Sequence, residues 1–149
     1  MKPEETIDFN IRSTWHKIAR MYNLQAAEHG VSMATGMVLL NIDLKEGTPS
    51  TSLGPKMGME SRSLTRTLKN LEEEKIIYRE VDKLDKRKVR IFLTESGKEK
   101  REISKNKVIQ FNEHLRQNIK NKDLETFFKV MANINQLIDE NHIFLSTEK

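Results

Sequence analysis

Between positions 61 and 94 the chain changes its pattern abruptly, and that change constrains the fold more than any other feature. SRSLTRTLKNLEEEK, residues 61–75, places Leu64, Leu68 and Leu71 on one stripe at steps of three and four, the spacing of a helix with a single apolar face. IIYREV and VRIFLT follow; they are short, rich in β-branched and aromatic residues and separated by the polar turn DKLDKRK, and so read as two antiparallel strands. Six basic residues, Arg79, Lys83, Lys86, Arg87, Lys88 and Arg90, crowd this hairpin. A solvated charged hairpin and a finger that touches a polyanion are the two readings open at this point.

The flanking segments are helical in pattern. Over residues 6–29, Ile7, Ile11, Trp15, Ile18 and Tyr22 share a face, and His29 and Gly30 end the run. Ser32 suits the N-cap of a second helix with Met33, Met37, Leu40 and Leu44 on one side, broken by EGTPS. A short third helix is expected to be capped by Thr51 or Ser52, to point Leu53 and Met57 inward, to tolerate Pro55 early in its course and to stop at Gly58. Ser61 is the expected cap of the helix that follows. From Glu95 the pattern is helical again through Ile103, Val108, Phe111, Leu115 and Ile119. After a break at Asn121 and Lys122, a last helix carries Leu124, Phe127, Phe128, Met131, Ile134 and Ile138. The apolar tail NHIFLSTEK is expected to dock on the rest. No internal repeat or low-complexity linker interrupts the chain.

With 149 residues the chain is the size of one domain. Its 36% hydrophobic and 32% charged residues suit long amphipathic helices, with part of the core supplied by a partner subunit. The absence of cysteine excludes disulfides, thiolate metal sites and cysteine nucleophiles. No signal-peptide pattern opens the chain, and no apolar run approaches the ~18 residues of a membrane span, so a soluble, cytoplasmic protein without membrane contact is expected. His16, His29, His114 and His142 are scattered and form no HExxH; GPKMG is not a P-loop, and GxSxG is missing. These observations argue against an enzyme and point to no cofactor and no metal. The net charge of +4 and pI of about 9.3 hint at an anionic partner.

The succession of helix, helix, short helix, glycine turn, polar-faced helix, strand, basic turn and strand is the layout of a winged helix-turn-helix. The fold class expected is therefore mainly α with a small β-wing, joined to a helical dimerisation region. A helix fits the major groove, and a two-stranded wing lies along the backbone or enters the minor groove. Arg62 and Arg66, one turn apart, suit bidentate contacts to guanine. Ser61, Ser63 and Thr65 suit phosphate or base-edge bonds, and the helix N-terminus favours a phosphate.

The stretch 46–97 resembles the DNA-binding core of the MarR family of bacterial transcription regulators. The residues that match are Leu53, Gly58, Ser63, Thr65, Arg66, Leu71, Glu72, Ile76 and Ile77, then Asp82, Asp85, Arg87, Leu93, Thr94 and Gly97 in the wing signature. Gly54, Pro55 and Lys75 depart from the family's pattern; the family often places a small residue at the first and a glycine at the last. The resemblance implies a single domain over 1–149, with a DNA-binding core at 32–97 and a helical dimerisation region at 1–30 and 98–149. It also implies double-stranded DNA as partner, with Ser61, Arg62, Ser63, Thr65, Arg66 and Lys69 on the major groove, and Arg87 in a minor groove. Asp85 would shape the wing by an ion pair or turn bonds, and Lys83, Lys86 and Lys88 would meet phosphates.

By the same resemblance the chain is expected to be a homodimer and a repressor on a palindromic operator, with half-sites ~34 Å apart. A small aromatic or anionic effector would be met by Trp15, His16, Tyr22, Met33 and Met37, whose spacing equally suits core packing. The alternative function is a winged-helix module for protein–protein contact, its basic wing on an acidic partner. A winged domain for RNA would lack the exposed stacking aromatics expected of single-strand readers.

Overall fold

The computed structural model describes residues 1–140 and residue 143. The tail expected to dock, apart from Ile143, and His142 lie outside the described residues. The chain divides into two compact units, Met1–Lys107 and Val108–Lys149.

The first unit opens with a 3-10 turn, Pro3–Glu5, and continues through α1 (Ile7–Ala27), α2 (Met33–Leu40), β1 (Thr48–Pro49), α3 (Ser50–Met57), α4 (Ser61–Glu73), β2 (Ile77–Val81) and β3 (Val89–Leu93) into α5 (Glu95–Asn118). Leu64, Leu68 and Leu71 of α4 are buried together with Val38, Leu39 and Ile42, Leu53 of α3, Ile76, Ile77, Ile91 and Leu93. Each such side chain removed from water contributes roughly 1.5–3 kcal/mol, so the stripe on α4 is what fixes that helix against the sheet. The sheet is antiparallel in the order β1-β3-β2, with Tyr78 opposite Phe92 and Val81 opposite Val89. The rings of Tyr78 and Phe92 stack at 5.4 Å.

Several boundaries differ from the sequence expectation. Ser32 does cap α2, its hydroxyl accepting the Thr35 amide. The helix stops at Leu40, however, because Asp43 Oδ1 accepts the amides of Lys45 and Glu46 at 2.8 Å each and pulls the chain into a turn. Leu44 is consequently exposed, and Val38, Leu39 and Ile42 take the buried positions expected of the Met33–Leu44 face. The EGTPS break contains a third strand: Thr48 pairs with Ile91 and Pro49 with Arg90. The N-cap of α3 is Pro49, with no side-chain cap bond, in place of Thr51 or Ser52. Pro55 therefore lies inside the helix, past its first turn. Gly58 ends it in a left-handed conformation, φ 60°. On α4 the cap is Glu60, and Ser61 is the first helical residue. In α1, Ile18 and Tyr22 are half-buried, whereas Ile7, Ile11 and Trp15 of the same stripe are exposed.

The end of α4 is closed by backbone alone. The Lys75 amide donates to the Glu72 carbonyl and the Ile76 amide to the Leu71 carbonyl, the paired bonds that finish a helix when one residue turns left-handed. That residue is Lys75, at φ 57°, where the related pattern often has glycine. Thr94 then ties this corner to the next helix. Its hydroxyl lies 2.7 Å from the Lys75 carbonyl and 3.0 Å from that of Ile76, and accepts the Gly97 amide at 3.1 Å. The chains pass so closely here that a Cβ on Gly97 would run into the Ile76 carbonyl oxygen.

The second unit holds the end of α5 and α6 (Asn121–Asp139). The break between them falls at Ile119 and Lys120, before the Asn121–Lys122 expected, because Lys120 is the N-cap of α6. No residue of α6 is fully buried. Leu124, Met131 and Ile134 are half-buried, while Phe127, Phe128, Leu137 and Ile138 are each more than half exposed. Among the described residues no helix is long and apolar enough to cross a membrane.

Candidate nucleic-acid interface

The stripe that buries Leu64, Leu68 and Leu71 determines what α4 offers to solvent: Ser61, Arg62, Ser63, Thr65, Arg66 and Lys69 are all exposed. Ser61, Arg62, Thr65, Arg66 and Lys69 line one shallow depression with Asn70 and Glu73. No ion pair involves Arg62, Arg66 or Lys69 among the described residues. The first main-chain bond of the helix is from the Leu64 amide to the Glu60 carbonyl, so with no side-chain cap the N–H groups that precede it remain available. The two hydroxyl types behave differently. Thr65 donates its proton back to the Ser61 carbonyl at 2.8 Å, which leaves it an acceptor toward anything outside. Among the described residues the hydroxyls of Ser61 and Ser63 make no such internal bond.

The wing turn is built on two aspartates. Asp82 Oδ1 accepts the Leu84 amide at 2.8 Å and the Asp85 amide at 3.0 Å, and its Oδ2 receives Arg90 Nη1 at 2.9 Å. Those bonds, first that from the Asp85 amide and then that from Arg90, hold the Asp82 carboxyl down to about 2. Asp85 accepts the Arg87 amide at 3.0 Å, and its carbonyl takes the Lys88 amide at 2.9 Å. Asp85 thus carries turn bonds, while the ion pair of the wing belongs to Asp82. Arg90 also donates to the Glu46 carbonyl at 2.9 Å, so one guanidinium joins the wing to the segment leading into β1.

The six basic residues of the hairpin consequently separate into two groups. Arg90 is consumed by Asp82 and Glu46, and Arg79 pairs with Glu72 of α4 at 3.1 Å. Lys83, Lys86, Arg87 and Lys88 are exposed and have no ion pair among the described residues. The sequence places Asp82 in the wing signature and Arg90 among the six basic residues, but their pairing was not expected. Arg90 lies opposite Glu80 in the strand register and reaches Asp82 diagonally, so a spacing of eight across a polar turn between two strands is the signal for the pair.

The residues expected to meet an effector lie on α1 and α2. Trp15 and His16 are exposed, and Tyr22, Met33 and Met37 are half-buried. Burial raises the Tyr22 phenol above its ordinary value. Among the described residues no group of three His, Asp or Glu side chains is placed to hold a metal ion.

Comparison with known proteins gives a consistent picture. The HTH-type transcriptional regulator TtmR of Methylorubrum extorquens is 32% identical over 90 residues, which take in 60% of this chain and 46% of TtmR. The chain spans only about half the length of the curated relatives it matches, 46% and 60% for two of them. Among solved structures, a MepR–DNA complex from S. aureus superposes with a TM-score of 0.77 at 20% identity, covering 91% of this chain and 98% of MepR. CouR from Rhodococcus jostii, bound to p-coumaroyl-CoA, superposes at 0.79 with 19% identity, covering 90% and 94%. At such identities these likenesses show the fold: the winged helix of MarR-type regulators. The family model described as transcriptional regulator SarA/Rot matches residues 20–105, and the chain belongs to that MarR-like family.

Proposed function

We propose that this chain regulates transcription as a homodimer that grips a palindromic double-stranded operator, most simply as a repressor. The observation that carries the reading is the coexistence, in one compact unit, of a helix with no side-chain cap bond and three cations without an ion pair among the described residues, and a wing whose turn presents four more. In this reading α4 lies in the major groove. Arg62 and Arg66 read guanine edges, Ser61 and Ser63 donate to phosphate or base, Thr65 accepts from a base amine, and Lys69 meets the backbone. Arg87 enters the minor groove, and Lys83, Lys86 and Lys88 neutralise phosphates. Asp85 keeps the Arg87 backbone in the turn.

Dimerisation is supported by apolar surface that one chain leaves bare: Ile7, Ile11 and Trp15 on α1, and Phe127, Phe128, Leu137 and Ile138 on α6. The division into a core at 32–97 and pairing helices at 1–30 and 98–149 belongs to the same proposal. So do a cytoplasmic location and release by a small aromatic or anionic effector near Trp15, His16, Tyr22, Met33 and Met37, for which the ligand-bound CouR likeness is the support. Retardation of random genomic duplexes at low salt, followed by selection of bound sequences, tests the reading. Absence of retardation would favour an acidic protein partner for the wing.

A further inference from the structure

Leu84 stands at the tip of the wing with 99% of its surface exposed, as bare as the chain's first residue. A lone exposed leucine is ordinary on a protein surface. This one is unusual in its mounting. Its own amide is bound by Asp82 Oδ1 at 2.8 Å, the next amide by the same oxygen at 3.0 Å, and Asp82 is in turn held by Arg90. The apolar side chain is thus fixed on a stiff backbone turn, between Lys83 and the Lys86–Arg87–Lys88 cluster. Solvent offers such a side chain nothing, and the four cations around it exclude an ordinary apolar protein pocket, in which they would be stranded unpaired. A surface that is anionic at its rim and apolar within satisfies both. Duplex DNA has that form at a minor-groove base step, where phosphates border stacked bases.

We propose that Leu84 is an apolar wedge that enters a base step of the minor groove beside Arg87 and partly unstacks it, kinking the duplex at the wing. The inference rests on the DNA-binding reading above and adds to it a source of sequence preference. Flexible pyrimidine–purine steps unstack at least cost, so such a step is favoured under the wing even though no hydrogen bond reads it. Arg87 and the lysines supply the attraction, and Leu84 selects for deformability.

The test uses the full chain and the duplex recovered by selection from a random pool, with 2-aminopurine placed at successive positions of each flank. Binding of the unsubstituted chain should raise the fluorescence severalfold at one step per wing. Leu84→Ala should abolish that rise and weaken binding by about tenfold, the order expected for losing most of a buried leucine side chain, with the salt slope unchanged. Leu84→Met should retain the rise. Equal fluorescence and equal affinity for Leu84→Ala would overturn the wedge while leaving DNA binding standing. Failure of the unsubstituted chain to retard any duplex at low salt would overturn both, and is seen before any variant is made. Because Leu84 touches no core residue, an unchanged melting temperature confirms that the variant is folded.

Discussion

Arg90 and Asp82 meet at 2.9 Å across the base of the wing, and the same guanidinium donates to the Glu46 carbonyl at 2.9 Å. The pair therefore organises the wing twice, by fixing the carboxylate that bonds the Leu84 and Asp85 amides and by anchoring β3 to the segment before β1. Asp82→Ala should leave the α-helical core folded while the Leu84 and Asp85 amides exchange about tenfold faster with solvent, the effect of losing one well-formed local hydrogen bond. Unaltered exchange at those two amides would mean the turn does not depend on Asp82.

The pH dependence of the same pair has a definite sign. The Asp82 carboxyl lies at about 2 in the folded chain against an ordinary 3.8, so folding favours its ionised form. Its contribution is present above about pH 4 and fades as the pH falls through about 2, which makes acid loosen the wing. Amide exchange or chemical shifts of residues 82–88 followed from neutral to acid pH check this, and Asp82→Asn should flatten the profile.

Arg87→Ala should lower operator affinity by ~1–3 kcal/mol with no change in melting temperature. Each of Lys83→Ala, Lys86→Ala and Lys88→Ala should reduce the slope of log affinity against log salt by about one unit, similarly on all sequences. Fluorescence anisotropy across a salt series separates the two classes. Arg66→Ala belongs with the first, and should relax discrimination at one base pair by ~1–3 kcal/mol.

Much of this core is legible in the sequence, and the reasons are physical. Leu64, Leu68 and Leu71 announce α4 because a buried stripe has to recur at the helical period, and the β-branched residues of VRIFLT announce β3. The misplacements have a common cause in side chains that bond to local backbone. Asp43 ends α2 four residues before Leu44, and β1 is too short, at Thr48 and Pro49, to carry any periodicity. At the candidate interface the sequence shows which residue types are present, but not how the six cations divide. Which of them is free depends on partners contributed by Glu72 in another element and by Asp82 across the turn.

Lys75 and Gly97 make a matched pair of backbone tests. Lys75→Gly relieves a left-handed conformation that costs an L-residue roughly 1 kcal/mol, partly offset by the greater freedom of glycine in the unfolded chain, so a small rise in melting temperature is expected. Gly97→Ala forces a Cβ onto the Ile76 carbonyl and should destabilise by about 1–3 kcal/mol, as overpacking does. Thermal denaturation resolves both.

Phe127 and Phe128 pack edge to face at 5.5 Å while each is more than half exposed. If that surface pairs two chains, Phe127→Glu with Phe128→Glu should convert the dimer to a monomer, read as mass by light scattering. Operator affinity should fall with it, because two half-sites then no longer act together. A variant that keeps the dimer mass would place the pairing surface elsewhere.

The knot around Thr94 bears on how such a chain acquires new targets. One hydroxyl holds the exit of α4, the end of β3 and the entry to α5 together, so α4 and the β2–β3 pair meet at a tied corner. On the DNA-binding reading proposed above, the length of duplex spanned by α4 and the wing is set by this corner more than by surface side chains. On the same reading, the letters within that length are set by exposed side chains on α4 and at the wing tip, and these lie outside the buried core. Divergence in this fold is therefore expected to rewrite sequence preference readily and half-site length hardly at all.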